Sequence, residues 1–334
     1  VSDSVQKIWS QAKKEQSSAG WGQIIRSRKK ENDTLVILTI DAEEVFDWNG
    51  DYSNWSLPDI SALQRLQNIA EKNSIKPVYF VSYSLLNDQN ISSLLATWVR
   101  EGKAACGLHL HSWITPPIRD KFSYAQTFQS NLDTELHQEK LLNLIESYVS
   151  VFGTSPIAHR AGRYGVAPWI FDQLADQGIM LDFSPSAGFD FRDRHGPDFS
   201  WMTSDTRKRN TDAGPQWVMP VSGAFMLRKC GLAFIRSTLS PYGNHFISSL
   251  GSAVRLTPEG NSLSVMKDLT RHLTARKVRV LTPTLHLTSL IPGATPYTQS
   301  TEDVDRLAGL LDQYLDGSRR RISAQSAWRN FMRN

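Results

Sequence analysis

The chain has 334 residues, 40% hydrophobic and 21% charged, with a formal net charge of +4, which describes a soluble globular protein able to bury a sizeable core. Two cysteines, Cys106 and Cys230, are too few and too far apart for a disulfide framework or a cysteine-type zinc site, and no run approaches the ~18 continuous apolar residues of a membrane span. Basic residues gather at the ends, from Lys13 to Lys30 and from Arg319 to Arg333, with no accompanying aromatic-and-basic motif, so nucleic acid is excluded as a partner. Solvated termini on a cytoplasmic protein are the expectation, and peripheral attachment to an anionic membrane surface is the alternative. Val1 to Lys30 lacks a signal-peptide core.

From residue 34 onward, short apolar runs alternate with segments of helical period. Leu35 to Ile40 predicts a strand ending at Asp41, and Ile60, Leu63, Leu66, Ile69 and Ala70 a helix behind Pro58. Pro77 to Val81 reads as a strand, followed by a helix carrying Ile91, Leu94, Leu95, Trp98 and Val99. Ala104 to His111 is a third strand, with Cys106 as a buried, reduced thiol, and Leu141 to Val149 lies on a long helix. Pro156 to Arg160, Ile179 to Phe183, Trp217 to Pro220 and Val278 to Leu287 follow as strands, with a helix over Trp169 to Gln177. Phe191 to Gly214 reads as one long polar loop. A helix over Val304 to Tyr314 closes the series. This predicts a helical extension over residues 1–33, one domain over 34–316 and a basic tail over 317–334. Repeated strand and helix imply a parallel sheet covered by helices, with chemistry at the C-terminal strand ends. An open doubly wound sheet obeys the same rule, so periodicity alone does not choose between the two.

Polar residues recur at those ends. Asp41 and Glu43 follow the first strand, His109 and His111 end the third, and Arg160, Asp182 and His286 sit on later strands. Each has a plain structural reading: a helix cap, a surface ion pair or a satisfied core histidine. Their recurrence at strand ends favours a shared rim, which would hold the inventory of a metal hydrolase.

At these residues the sequence resembles the NodB-homology polysaccharide deacetylases, carbohydrate esterase family 4, over residues 34 to 315. Thr39-Ile40-Asp41-Ala42-Glu43 resembles the first motif, with Ala42 where the metal-binding Asp usually stands and Glu43 matching an Asp-x-Glu variant. Gly107-Leu108-His109-Leu110-His111-Ser112-Trp113 resembles the second, with Trp113 where the second metal His is expected and His111 able to take over. Ala158 to Gly165 resembles the motif that supplies an Arg to hold the catalytic Asp, with Asp182 as a further acidic partner for that Arg. Leu285-His286-Leu287 resembles the motif of the general acid in the polysaccharide-biosynthesis subgroup.

The resemblance implies an α/β fold, a distorted (β/α) barrel of about seven parallel strands. It also implies hydrolysis of N-acetyl groups from amino-sugar units of a polysaccharide or glycan precursor. Glu43, His109 and His111 would hold one divalent ion, zinc by expectation with cobalt or nickel as alternatives. Asp41 would be the base, His286 the acid, and Arg160 and Asp182 their support. Trp48, Trp113 and Tyr164 are candidate substrate contacts, with core packing an equal reading for the two tryptophans. Two competing functions stay open: a same-fold hydrolase of a small cyclic amide, and a metal-free sugar-binding homologue, which Ala42 and Trp113 favour.

Overall fold

The computed structural model describes residues 21, 23–24, 34–48, 52, 54–119, 122–227 and 251–319. In chain order the strands are β1 (Gln23–Ile24), β2 (Leu35–Val36), β3 (Thr39–Ala42), β4 (Val45–Phe46), β5 (Trp55–Ser56), β6 (Val78–Val81), β7 (Ala105–Leu110), β8 (Ala158–Ala161), β9 (Leu181–Asp182), β10 (Arg207–Thr211), β11 (Gly214–Val218), β12 (Gly223–Leu227), β13 (Gly251–Arg255), β14 (Val280–Leu281) and β15 (Thr284–His286). The helices are α1 (Ile60–Lys72), α2 (Tyr83–Leu86), α3 (Gln89–Arg100), α4 (Thr134–Phe152), α5 (Pro168–Asp176), α6 (Leu263–Ala275) and α7 (Thr301–Arg319).

Among the described residues one sheet runs β1-β10-β11-β9-β8-β7-β6-β3-β15. Its seven strands from β11 to β15 pair in parallel, and β10 and β1 add antiparallel strands at one edge. β2 and β14 pair in the register that β3 and β15 continue, so each couple is one strand with a short interruption. The sheet curls until β15 meets the chain beyond β11. There the Ser222 and Thr282 N–H groups each donate to the other residue's hydroxyl at 2.9 Å. Hydroxyl-mediated closure in place of a backbone ladder makes this a distorted barrel, the fold class expected from the sequence.

Strand alternation sorts side chains into two layers. Leu35, Ile37, Phe80, Ala158, Leu181, Phe183, Trp217, Met219 and Val280 form one apolar cluster, filling the barrel interior at its N-terminal end. The intervening residues Ile40, Ala42, Leu108 and Leu110 join the larger cluster beneath the helices. Following the interior positions toward the C-terminal ends, the sequence turns polar: Thr39 and Asp41, His109 and His111, Arg160, Thr284 and His286. One periodicity therefore supplies both the apolar plug and the polar rim. Gly107 is part of this fit, because a Cβ there would meet Phe80 Cε1 and the Ala158 carbonyl at 2.9 Å.

Helix ends are set locally. Asp59, Asp88 and Asp133 cap α1, α3 and α4 by accepting from backbone N–H groups, and α4 stops at Gly153 with φ 67°. No helix of the described residues is long and apolar enough to cross a membrane.

Two expectations need correction. Phe191 to Gly214 is not one loop: Arg207–Thr211 pairs with Gly214–Val218 as a hairpin on the sheet. Of the helical extension over 1–33, Gln23–Ile24 instead forms an edge strand, and Trp21 is buried against Phe171, Phe199 and Trp201. The rest of that segment, Cys230 and most of the basic tail lie outside the described residues. Cys106 is buried and free, and burial pushes its thiol pKa up.

Candidate active site

β3 ends in Asp41 and Ala42, and the next two residues, Glu43 and Glu44, are also buried. β7 delivers His109 and, one residue beyond its end, His111. Ligand atoms of Glu43, His109 and His111 lie within 4.8 Å of one another, a grouping that could hold a metal ion. Glu43 Oε2 is 3.2 Å from His109 Nε2 and 3.1 Å from His111 Nε2.

The outer nitrogens decide how those rings are oriented. His109 Nδ1 lies 2.9 Å from the Arg160 carbonyl oxygen, which only accepts, so Nδ1 carries the hydrogen. His111 Nδ1 lies 2.9 Å from Glu44 Oε2, which likewise accepts. Held this way, both rings direct Nε2 at the same carboxylate oxygen, Glu43 Oε2, as two imidazoles and a carboxylate around one cation would. Glu43 Oε1, fully buried, has no hydrogen-bond partner among the described residues, and an orphaned buried carboxylate oxygen is strongly disfavoured. Both observations fit a divalent cation bound by two imidazoles and a carboxylate. Burial opposes a charged His111 ring, but Glu43 and Glu44 outweigh it and raise its pKa to about 9.

Glu44 is the candidate site residue that the sequence did not single out. Its other oxygen accepts from Ser82 at 2.6 Å and from Ser84, so the carboxylate is fixed before it fixes His111. Gly162 completes the seat, since a Cβ there would lie 2.5 Å from His111 Cδ2.

Arg160 is buried with its donors directed. Nη1 donates to Asp41 Oδ1 at 2.6 Å and to Thr284 Oγ1 at 2.9 Å, Nη2 to Thr39 Oγ1 at 2.7 Å, and Nε to the Phe183 carbonyl at 3.1 Å. Phe80 supports the guanidinium from below, 4.6 Å from ring centre to Cζ. Burial raises the Asp41 pKa, but Arg160, His109 and His286 together leave it below the ordinary value.

His286 faces the same carboxylate from the other side, with Nε2 3.8 Å from Asp41 Oδ2. Its Nδ1 lies 3.0 Å from both oxygens of Glu259, which also accepts from the His286 backbone N–H and from Ser289 Oγ. Burial disfavours the charged ring, yet Glu259 and Glu43 raise its pKa to about 10. Glu259 was invisible in the sequence, lying in the Thr257-Pro258-Glu259-Gly260 loop with no local signal.

Asp182 is not brought to Arg160. Its Oδ2 lies 2.7 Å from His159 Nδ1 and accepts from Ser184 Oγ, while Ser184 N–H donates to Oδ1. His159 pairs with Asp182 across β8 and β9. Both alternate with the interior residues, so this pair faces the helices and Arg160 faces the barrel. The expected support role for Asp182 is therefore corrected to a structural one.

The aromatic candidates ring the site. Trp113 stacks on His111 at 4.2 Å, and Trp48 meets His286 edge-on at 4.9 Å. Tyr164 is buried, and its hydroxyl has no hydrogen-bond partner among the described residues.

No family model matches the chain, and no curated protein matches it. Solved structures do share its fold. The allantoinase Puue superposes with TM-score 0.53 at 12% identity, covering 91% of this chain and 92% of its own. A Mycobacterium smegmatis protein assigned as a polysaccharide deacetylase gives TM-score 0.51 at 12% identity over 93% and 94% of the two chains. A Pseudomonas aeruginosa PAO1 protein with the same assignment gives 0.51 at 10% over 91% and 92%. The fold is thus the one seen in polysaccharide deacetylases and in an allantoinase.

Proposed function

We propose that this protein is a metal-dependent hydrolase that removes N-acetyl groups from amino-sugar units of a polysaccharide or glycan precursor. The observation that carries the reading is the convergence of two oriented imidazoles on Glu43, whose second oxygen is buried and unpartnered among the described residues. A divalent ion held by Glu43, His109 and His111, with zinc the best match to this donor set, would acidify water and polarise an amide carbonyl.

The chain's own residues then divide the proton transfers. Asp41 is anionic, and Arg160 occupies Oδ1, so Oδ2 is the oxygen left to take a proton from the attacking water. His286, charged at neutral pH and held by Glu259, presents Nε2 to the departing amine and donates the proton that makes it a leaving group. Base and acid stand close together, with His286 Nε2 3.8 Å from Asp41 Oδ2, so a single amide can meet both. Trp48 and Trp113 pack against His286 and His111 and are the candidate aromatic contacts for a sugar ring.

A second reading, hydrolysis of a small cyclic amide, is kept open by one observation: an allantoinase is among the solved structures that share this fold. Assays on the zinc-loaded full-length chain separate the two. Acetate release from N-acetylated oligosaccharides, lost on chelation and restored by zinc, is the expected result. Ring opening of a cyclic ureide with no acetate release supports the second reading. Failure to bind zinc, cobalt or nickel, with no hydrolysis of either substrate, leaves a metal-free sugar-binding protein.

A further inference from the structure

Arg65, Arg209 and Arg306 each sit against a carboxylate. Arg163 and Arg255 have none among the described residues, and both lie against aromatic rings. The half-buried Arg163, at φ 54°, lies 4.2 Å over Phe128, 4.6 Å over Tyr124 and 5.2 Å over Tyr52, and its fork is engaged, Nη1 donating to the Thr127 hydroxyl and Nη2 to the Tyr124 hydroxyl at 2.7 Å. Tyr52 in turn packs on Trp113, which stacks on His111, so Arg163 stands two rings from a candidate metal ligand.

Arg255 lies 4.5 Å over Tyr164 and 4.4 Å over Phe189, and its Nε donates to Ser186 Oγ at 3.1 Å. Among the described residues its terminal nitrogens have no acceptor. Its neighbour Leu256 accepts from the N–H of Thr284, and the Thr284 hydroxyl accepts from Arg160, so the strand carrying Arg255 adjoins the one that ends in His286. Residues 228–250 hold Arg228, Lys229 and Arg236 but no Asp or Glu, so that segment offers Arg255 no carboxylate. Between the two arginines stands Tyr164, next to Arg163 in sequence and under Arg255 in space. Its hydroxyl is buried without a partner among the described residues, and it feels the charges of Arg255, Asp41, Arg160 and Glu259.

An arginine stacked on rings keeps its planar fork oriented while its terminal N–H groups stay free for a carboxylate or phosphate. We propose that Arg255, with the Tyr164 hydroxyl, recognises a carboxylate or phosphate on the substrate, so that the acylated sugar taken by this site is acidic. The proposal rests on the deacetylase reading above for the sugar, though not for the anion.

Three probes separate the sources of charge: neutral tetra-N-acetylchitotetraose, a hyaluronan tetrasaccharide carrying uronate carboxylates, and UDP-N-acetylglucosamine carrying a diphosphate. Binding of each is measured calorimetrically on the zinc-loaded full-length Asp41→Asn chain, and acetate release on the unmutated chain. At least one anionic probe should bind about tenfold more tightly than the neutral one, and the advantage should shrink as salt is raised. A preference for hyaluronan assigns a carboxylate, and one for the nucleotide sugar a phosphate. Arg255→Gln should lower the anionic-to-neutral ratio several-fold, with Arg255→Lys recovering only part of it. Equal binding of all three probes by the unmutated site, no anionic probe binding at millimolar concentration, or a folded Arg255→Gln variant that weakens all probes alike would overturn the proposal. Selective anion binding without acetate release from any probe would instead leave anion recognition standing and remove the deacetylase reading.

Discussion

Asp41→Asn is expected to lower turnover by about 10²–10⁴-fold while bound zinc stays near one ion per chain. Asparagine keeps the shape of the side chain and one oxygen for Arg160 Nη1, so the 2.6 Å contact can survive. The basic oxygen facing His286 is what disappears. Zinc stoichiometry and acetate release measured on the same preparation check this. Loss of zinc with the loss of activity would make Asp41 a ligand, and unchanged turnover would remove it from the chemistry.

His111→Ala is expected to weaken zinc binding by orders of magnitude, since the remaining donors would be one imidazole and one carboxylate. The reason lies in how completely the ring is committed: Glu44 fixes Nδ1, Trp113 covers one face, and Gly162 leaves room for Cδ2. Glu44→Gln should act through that ring and cost about 10–100-fold in zinc affinity, the usual effect of removing a ligand's orienting partner. His159→Ala is the control, because His159 is also buried and carboxylate-paired but faces the helices. It should lower the melting temperature and leave zinc affinity unchanged. Wild-type zinc affinity in His111→Ala, measured by competition with a chromogenic chelator, would mean that the third ligand comes from elsewhere.

The sequence made legible whatever interrupts an apolar strand. Asp41, His109, Arg160 and His286 stand out because each ends or punctuates a run of buried residues, and all four project from the interior face at one end of the barrel. Partners supplied from outside a strand were not legible. Glu259 reaches His286 from a loop 27 positions earlier in the chain, and Glu44 reads as one more acid beside Glu43 until its Ser82 contact is seen. Asp182 was misplaced because proximity in the strand order says nothing of face: one step of alternation separates His159 from Arg160, and the β8–β9 register gives Asp182 to His159. The β10–β11 hairpin was hidden by its polarity, since Arg207, Lys208 and Arg209 do not resemble a strand that packs on rings. Arg207 lies 5.2 Å over Trp201, Lys208 5.4 Å over Trp217 and Arg209 5.2 Å over Phe171, so long cationic side chains supply the apolar contact that the composition lacks.

The central claim is that Glu43, His109 and His111 form one metal centre, and X-ray absorption at the zinc edge of the zinc-loaded full-length chain tests it most directly. The account predicts a first shell of about four light atoms at ~2.0–2.1 Å, with the multiple-scattering signature of two imidazoles and no sulfur at ~2.3 Å. A shell with one imidazole or none, or zinc that washes away before the spectrum is taken, would contradict it.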